Sequence, residues 1–132
     1  MYYDVTNGAI EEIGLAVSAD GEFWARIGNQ PVLPRGGPGQ WDENYACEHA
    51  VVLRLAPNNF KMWYSGGVQR SSEGIGCATS PDGINWTKFS GNPIFSIYDG
   101  VAGVRVELKI LGYFSIHYGS VAMEIRFVLS FG

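Results

Sequence analysis

The sequence has few cysteines, few charged residues and no excess of basic residues, and each shortage argues against a class of protein. Only two of its 132 residues are cysteines, 17% are charged, and the formal net charge is -4. Because Cys47 and Cys77 lack C-x-x-C spacing, they predict two buried thiols and neither a metal site nor a redox pair. Without clustered Lys and Arg, we predict no binding to nucleic acid or to a membrane.

The chain also lacks the segments that direct proteins to membranes or to secretion. Residues 1–14 have neither a basic start nor a continuous apolar stretch, and no apolar run approaches the roughly 20 residues of a membrane helix. We therefore expect a cytoplasmic protein. Neither a phosphate-binding glycine loop, a nucleophile elbow nor a His or Cys cluster with metal spacing is present, so we predict no cofactor and no metal.

Apolar residues, glycines and aromatic residues are what the sequence does contain. It is 46% apolar and 14% aromatic, and it has 18 glycines. This composition is typical of a globular protein with many short strands joined by tight turns. The length fits a single domain, residues 1–132.

The chain contains an internal repeat. The segment IGLAVSADGEFW at residues 13–24 aligns with IGCATSPDGINW at residues 75–86, and the same offset of 62 residues continues to residues 31–33 and 93–95. A match of this length rarely arises by chance and indicates a duplicated structural unit. Aromatic segments precede both copies, at residues 1–4 and 62–66. We define a first unit of about residues 1–33 and a second of about residues 41–95. A third, degraded unit covers about residues 98–132, where FSIHYG aligns with FKMWYS of the second unit.

The second unit is predicted to contain four short antiparallel strands. Its apolar, aromatic and β-branched runs are too short for helices, and the Asp82-Gly83 pair supplies the positive φ angles of a tight hairpin. We expect Trp86, and Trp24 in the first unit, to pack against this hairpin. The predicted strands are Glu48–Leu55, Phe60–Ser65, Ile75–Ser80 and Trp86–Phe89. The predicted fold is therefore all-β, a series of four-stranded antiparallel sheets like the blades of a β-propeller.

The second unit resembles the blades of five-bladed propeller glycosidases. The resemblance is carried by FKMWYSG at residues 60–66, IGCATSPDGINWTK at residues 75–88 and GNPI at residues 91–94. This group includes arabinanases, xylosidases and mannoside phosphorylases. The resemblance covers residues 1 to about 96, and it implies a partial propeller of about two and a half blades that acts on or binds carbohydrate.

The resemblance also implies where catalytic carboxylates would lie. Members of the group carry them on the innermost strand of each blade, because glycoside hydrolysis needs an acid and a second carboxylate that converge on one bond. Glu48 stands at this position in the second unit and is the catalytic candidate; the alternative is a solvated carboxylate at a strand end. The alternation of strand residues predicts that His49 faces the opposite side.

Four further residues are candidates for substrate binding. Trp41 would stack on a sugar and Asp42 would accept hydrogen bonds from hydroxyls, although a turn-capping role for Asp42 is the alternative. In the third unit, Arg105 aligns with Glu48 and would pair with it, and Glu107 follows on the same face. A half-exposed strand explains Glu107 equally well.

A closed propeller of five such units would need roughly 250 to 300 residues. We therefore expect the exposed sheet edges and apolar faces to be covered by self-association into a homo-oligomer. The alternative is a truncated gene whose last third forms a local cap. Two functions follow as expectations: a carbohydrate-active module, hydrolytic only when a partner chain completes it, or a noncatalytic module that binds sugar or protein. The sequence leaves the question of enzymatic activity open.

Overall fold

The residues that the structure describes form ten β-strands. A computed structural model describes residues 1–6, 10–68, 74–96, 106–117 and 120–131, with the backbone alone for residues 45–48 and for the last two ranges. No helix occurs in these ranges, and hence none that could cross a membrane. The strands are β1 (Tyr2–Thr6), β2 (Glu11–Val17), β3 (Ala25–Arg26), β4 (Tyr45–Ala56), β5 (Asn59–Gly67), β6 (Gly74–Ser80), β7 (Thr87–Lys88), β8 (Phe95–Ser96), β9 (Val106–His117) and β10 (Ser120–Phe131).

The first eight strands form one sheet. Its order is β1-β2-β4-β5-β6-β7, with β3 also paired to β2 and β8 also paired to β6. The pairings are antiparallel except for one parallel pair, Glu11 with Tyr45, which joins the strands of the first unit to those of the second. This confirms the all-β, antiparallel character predicted from the sequence.

All four strands predicted for the second unit are present, as β4 to β7. They pair consecutively and antiparallel, β4 with β5, β5 with β6, and β6 with β7. The turns have the predicted chemistry: Gly83 has a φ of 77° and Asn58 a φ of 58°, in the left-handed region that Gly and Asn tolerate best.

The two units share their strand register. Tyr3 pairs with Gly14 in the first unit as Tyr64 pairs with Gly76 in the second. The offset is 61 residues for the first strand of each pair and 62 for the second. In the first unit the Ile27 amide donates a hydrogen bond to the Leu15 carbonyl. In the second unit the Phe89 amide donates to the Cys77 carbonyl, and both residues lie 62 positions later in the chain.

The hairpins of the two units also carry the same hydrogen bonds. In the first, Ser18 Oγ accepts from the Gly21 amide at 2.7 Å, Asp20 Oδ1 accepts from the Phe23 amide at 3.0 Å, and Trp24 Nε1 donates to the Gly21 carbonyl at 3.0 Å. In the second unit the corresponding distances are 2.8, 2.8 and 3.1 Å. Both hairpins are therefore held by their own Ser, Asp and Trp side chains, as expected for Asp in a tight turn.

A tyrosine covers a glycine in each unit. A Cβ atom on Gly14 would lie 2.5 Å from Tyr3 Cζ, and one on Gly76 would lie 2.6 Å from Tyr64 Cζ. The ring occupies the space that a side chain would need, so each glycine allows a close aromatic contact with the paired strand.

The core lies between the two units. Ile13 and Leu33 of the first unit pack with Met62, Tyr64 and Ala78 of the second, and all five are fully or almost fully buried. Burying a large apolar side chain contributes about 1.5–3 kcal/mol, so this contact is a principal source of stability.

The third unit departs from the four-stranded pattern. Among its described residues, β9 and β10 form a two-stranded antiparallel hairpin, with His117 paired to Ser120. Alignment with the second unit predicts two separate strands in this segment, but β9 is one continuous strand from Val106 to His117. Residues 121–129 lack the Asp-Gly turn and the Trp that fix the other hairpins. The strand β9 lies beside β4 and β5.

Candidate functional site

Trp41 and Asp42 belong to a loop, residues 34–44, that leads from the first unit into β4. The loop is closed on itself, because the Gly36 amide donates to the Asp42 carbonyl at 2.8 Å and the Glu43 amide donates to the Gln40 carbonyl at 3.2 Å. Asp42 is only 1% exposed, which is unusual for a carboxylate. Its burial requires internal partners.

The partners of Asp42 come from the second unit. Lys88 Nζ lies 2.6 Å from Asp42 Oδ2, and the Tyr64 hydroxyl donates to the same oxygen at 3.2 Å. Asn92 Nδ2 in turn donates to the Tyr64 oxygen at 3.1 Å. Asp42, Lys88, Tyr64 and Asn92 form a connected polar network, which we call the loop network. A buried charge is tolerated only when paired in this way.

Trp41 is half-buried against the same tyrosine. Its ring centroid lies 5.7 Å from that of Tyr64, with the planes inclined by 31°. The ring also lies close to Gly74 and Gly76, where added Cβ atoms would approach it to 3.3 and 2.7 Å. Trp41 therefore covers the loop network with part of its ring and leaves the rest accessible.

Glu48 lies in an irregular part of β4. The register with β5 shifts on both sides of it, between Ala46 and Glu48 and again between Glu48 and Val51. His49 has a φ of 54°, which is uncommon for a residue other than glycine. Such bulges change the direction of side chains and occur often beside active sites. The simple alternation that would place His49 opposite Glu48 does not apply to this bulged segment.

A carboxylate from the first unit reaches the bulge. Asp4 Oδ1 in β1 accepts a hydrogen bond from the His49 amide at 3.2 Å. Burial raises the pKa of Asp4 above its ordinary value; His49 opposes this rise, and the nearby charge of Glu11 adds to it. We call Asp4, Glu11 and His49 the bulge cluster, and the backbone of Glu48 lies directly beside it.

The bulge cluster does not have the geometry of a metal centre. No group of three His, Cys, Asp or Glu side chains that could hold a metal ion is found among the residues whose side chains are described. The chemistry open to the carboxyl groups of Asp4 and Glu11 is therefore that of proton donors and hydrogen-bond acceptors.

The remaining predicted residues are only partly defined. The side chain of Glu48 lies outside the described residues, as does all of Arg105. Glu107 is in β9, where its backbone is paired with Ser130. The predicted pairing of Arg105 with Glu48 stays a prediction, and so does the role of Glu107.

Of the two cysteines, Cys77 is a buried free thiol whose pKa is raised by burial. The side chain of Cys47 lies outside the described residues.

No local sequence pattern points directly to either cluster. Lys88 is 46 positions from Asp42 in the chain, and Asp4 is 45 positions from His49. The repeat does not predict the contact either: Asp4 aligns with Ser65, which pairs with Glu48 within the second unit, whereas Asp4 contacts His49 of the other unit.

Comparison with known proteins does not identify a family for this chain. No family model matches the sequence, no curated protein is similar to it, and no solved structure is similar to its fold.

Proposed function

We propose that the protein binds carbohydrate at the bulged segment of β4, with Glu48 and the bulge cluster as the binding groups. The observation that carries the proposal is the position of the Glu48 backbone, between two register shifts and next to His49, whose amide donates to the exposed carboxyl group of Asp4. The resemblance of residues 60–94 to propeller glycosidase blades supports the same ligand class. Carboxylates and imidazoles are suited to binding sugar hydroxyls through directed hydrogen bonds.

The bulge cluster also has the ingredients of glycoside hydrolysis. That reaction needs one carboxyl group that keeps its proton near neutral pH and a second that is ionised. Asp4 is our candidate for the proton donor because its carboxyl group reaches the backbone next to Glu48, and burial shifts its pKa in the direction that such a donor needs. Glu48 would then be the carboxylate that activates water or attacks the sugar. Both candidate residues are supplied by one chain, so hydrolysis would not require a carboxylate from a partner.

The loop network argues against a role for Asp42 in substrate binding. The Asp42 carboxylate is paired with Lys88 and accepts a hydrogen bond from Tyr64, so it is occupied within the protein. An Asp in this state contributes to the fold and has little capacity left for a sugar hydroxyl.

Titration calorimetry with arabino-, xylo- and manno-oligosaccharides tests the proposal, together with release of aryl groups from the matching aryl glycosides. Glu48→Gln and Asp4→Asn are expected to weaken binding about tenfold each, because each replaces a carboxyl group that hydrogen-bonds to a sugar hydroxyl by an amide. Glu22→Gln, an identical chemical change on the exposed first hairpin, is the matched control and is expected to bind as the unmodified protein does.

Asp4→Asn is suitable because it should not unfold the protein. A carboxyl group with a raised pKa favours the folded state at pH values below its ordinary pKa of 3.8, and that contribution is lost as the pH rises. Replacing Asp4 by Asn at pH 7 is therefore not expected to destabilise the fold.

If none of the three sugar classes binds, the proposal is wrong. If sugars bind but Glu48→Gln and Asp4→Asn bind equally well, the assignment of the site is wrong.

A further inference from the structure

The contact between the two units has two different sides. The first unit contributes Ile13 and Leu33, with Tyr2 and Val32 at the margin, and the second contributes Met62, Tyr64 and Ala78, with Trp86 at the margin. The Tyr2 hydroxyl donates to the Gly83 carbonyl at 2.7 Å, and the Tyr2 ring meets Trp86 edge to face at 5.9 Å. The internal contact therefore joins β1, β2 and residues 32–33 of the first unit to β5, β6 and the Asp82-Gly83 hairpin of the second.

Along its rim the contact is open. A groove of about 460 Å³ runs between residues 27–32 of the first unit and residues 84–86 of the second. The groove lies where the end of the first unit runs beside the hairpin of the second unit.

The repeat places a copy of part of each side at the opposite ends of the pair, whereas the counterparts of Ile13 and Ala78, which are Ile75 and Ala16, are buried within their own units. Met62 and Trp86 of the second unit correspond to Met1 and Trp24 of the first. Met62 is fully buried, whereas Met1 is 57% and Trp24 is 45% exposed. We call Met1 and Trp24, with the neighbouring Phe23, the leading face.

The other side is copied in the same way. Val32 and Leu33 of the first unit correspond to Ile94 and Phe95 of the second. Leu33 is 1% exposed, but Ile94 and Phe95 are each 42% exposed. We call these two residues the trailing face. Although β9 lies beside β4 and β5, it leaves the trailing face at β8 accessible.

We propose that the leading face of one molecule packs on the trailing face of a second copy of this chain, repeating the internal contact between the units. The expected occupant is a second copy of this chain. Inside one molecule, residues of the second unit that correspond to the leading face pack against residues of the first unit that correspond to the trailing face. Exposed aromatic and aliphatic side chains grouped on such faces are characteristic of interaction sites. The proposal is independent of carbohydrate binding.

The two faces differ, so the interface is heterologous. Molecules joined head to tail form a ring if the rotation closes and a filament if it does not. A dimer with two identical, self-complementary patches is not compatible with this arrangement. That difference gives a direct experimental test.

Sedimentation velocity of the full chain over a concentration series measures the association. The unmodified protein is expected to form species larger than a monomer as the concentration rises. Trp24→Glu on the leading face and Phe95→Glu on the trailing face should each weaken association about tenfold or more, because an unpaired carboxylate would be buried. Leu55→Glu, at an exposed leucine outside both faces, is the matched control and should associate normally.

Mixing the two face variants distinguishes the proposed arrangement from other interfaces. Each variant retains one intact face, and the intact faces are complementary, so an equimolar mixture should form a dimer of one molecule of each and no larger species. A monomeric unmodified protein overturns the proposal. So does a mixture that fails to form the mixed dimer, or association that neither variant weakens.

Folding of the variants is checked by circular dichroism. Trp24 donates a hydrogen bond to the hairpin, so its substitution can disturb the fold. Phe23→Glu then replaces it, because Phe23 is 79% exposed and joins the hairpin through its backbone amide. The expected results are the same.

Discussion

The strands β1 to β3 of the first unit and β5 to β7 of the second correspond to each other but have different surroundings. Tyr3 and Tyr64 occupy equivalent positions, each covering a glycine of the next strand. Tyr64 is fully buried beneath Trp41 and contacts the loop network, whereas Tyr3 is only half-buried. The counterpart of Lys88 is Arg26, which is exposed.

The difference originates in the loop of residues 34–44. It supplies Trp41, which lies against the Tyr64 ring, and Asp42, which accepts from the Tyr64 hydroxyl and pairs with Lys88. The duplicated sequence therefore accounts for strands and hairpins, and the contacts of this loop account for the deeper burial of Tyr64. Substitutions at equivalent positions of the two units measure this difference directly.

The largest expected difference is between Lys88 and Arg26. Lys88→Met is expected to lower the free energy of unfolding by about 3 kcal/mol, because it leaves the buried Asp42 carboxylate without its cation. Arg26→Met should change it by less than about 0.5 kcal/mol, as is usual for an exposed surface residue. Urea denaturation measures both.

A double variant provides the control for this comparison. Asp42→Asn combined with Lys88→Met removes the unpaired charge and should recover about 1 kcal/mol or more of the loss. If Lys88→Met and Arg26→Met have equal effects, the ion pair does not distinguish the two units.

The glycines beneath the tyrosines provide the next comparison. Gly76→Ala is expected to cost about 2–3 kcal/mol, because the new methyl group would meet both Tyr64 and Trp41. Gly14→Ala should cost about 1 kcal/mol, because the half-buried Tyr3 ring can move aside. Thermal unfolding followed by circular dichroism compares the two. A larger loss for Gly14→Ala would mean that Tyr3 is the more constrained ring.

Much of the fold could be predicted from the sequence because its signals are local and occur twice. The Asp82-Gly83 turn, the alternation of apolar residues and the offset of 62 residues predict the four strands of the second unit. The third unit was less predictable. Alignment with β4 and β5 of the second unit predicted two strands here and could not show that residues 106–117 form one continuous strand.

The candidate site was less accessible, because its contacts join distant parts of the chain. No local pattern pairs Asp42 with Lys88 or brings Asp4 to His49. The sequence also carries no sign of the bulge at His49, where the register shifts and φ is positive. Sequence patterns predict regular strands, and this site is built where β4 is irregular.

The smallest expected difference lies in the two hairpins. Asp82→Ala should lower the melting temperature more than Asp20→Ala, because Asp82 Oδ2 accepts an additional hydrogen bond from Asn85 Nδ2 at 2.7 Å. The corresponding residue of the first hairpin, Phe23, has no side-chain donor. Both carboxylates are exposed, so solvent screening keeps the two effects below those at Lys88 and Gly76.

Acidification separates these hairpin effects from other causes of instability. Hydrogen bonds from the hairpin amides lower the pKa of Asp20 and Asp82 below the ordinary 3.8, and more strongly for Asp82. A lowered pKa stabilises the fold above pH 3.8, and the contribution is lost as the pH falls further. The gap in melting temperature between the unmodified protein and Asp82→Ala should therefore be full at pH 7 and narrower at about pH 3. For Asp20→Ala, the difference in melting temperature from the unmodified protein should be smaller at pH 7 and should disappear at a higher pH than for Asp82→Ala, because the pKa of Asp20 is lowered less. A gap that stays constant with pH would assign the effect of the substitution to packing and not to the carboxylate charge.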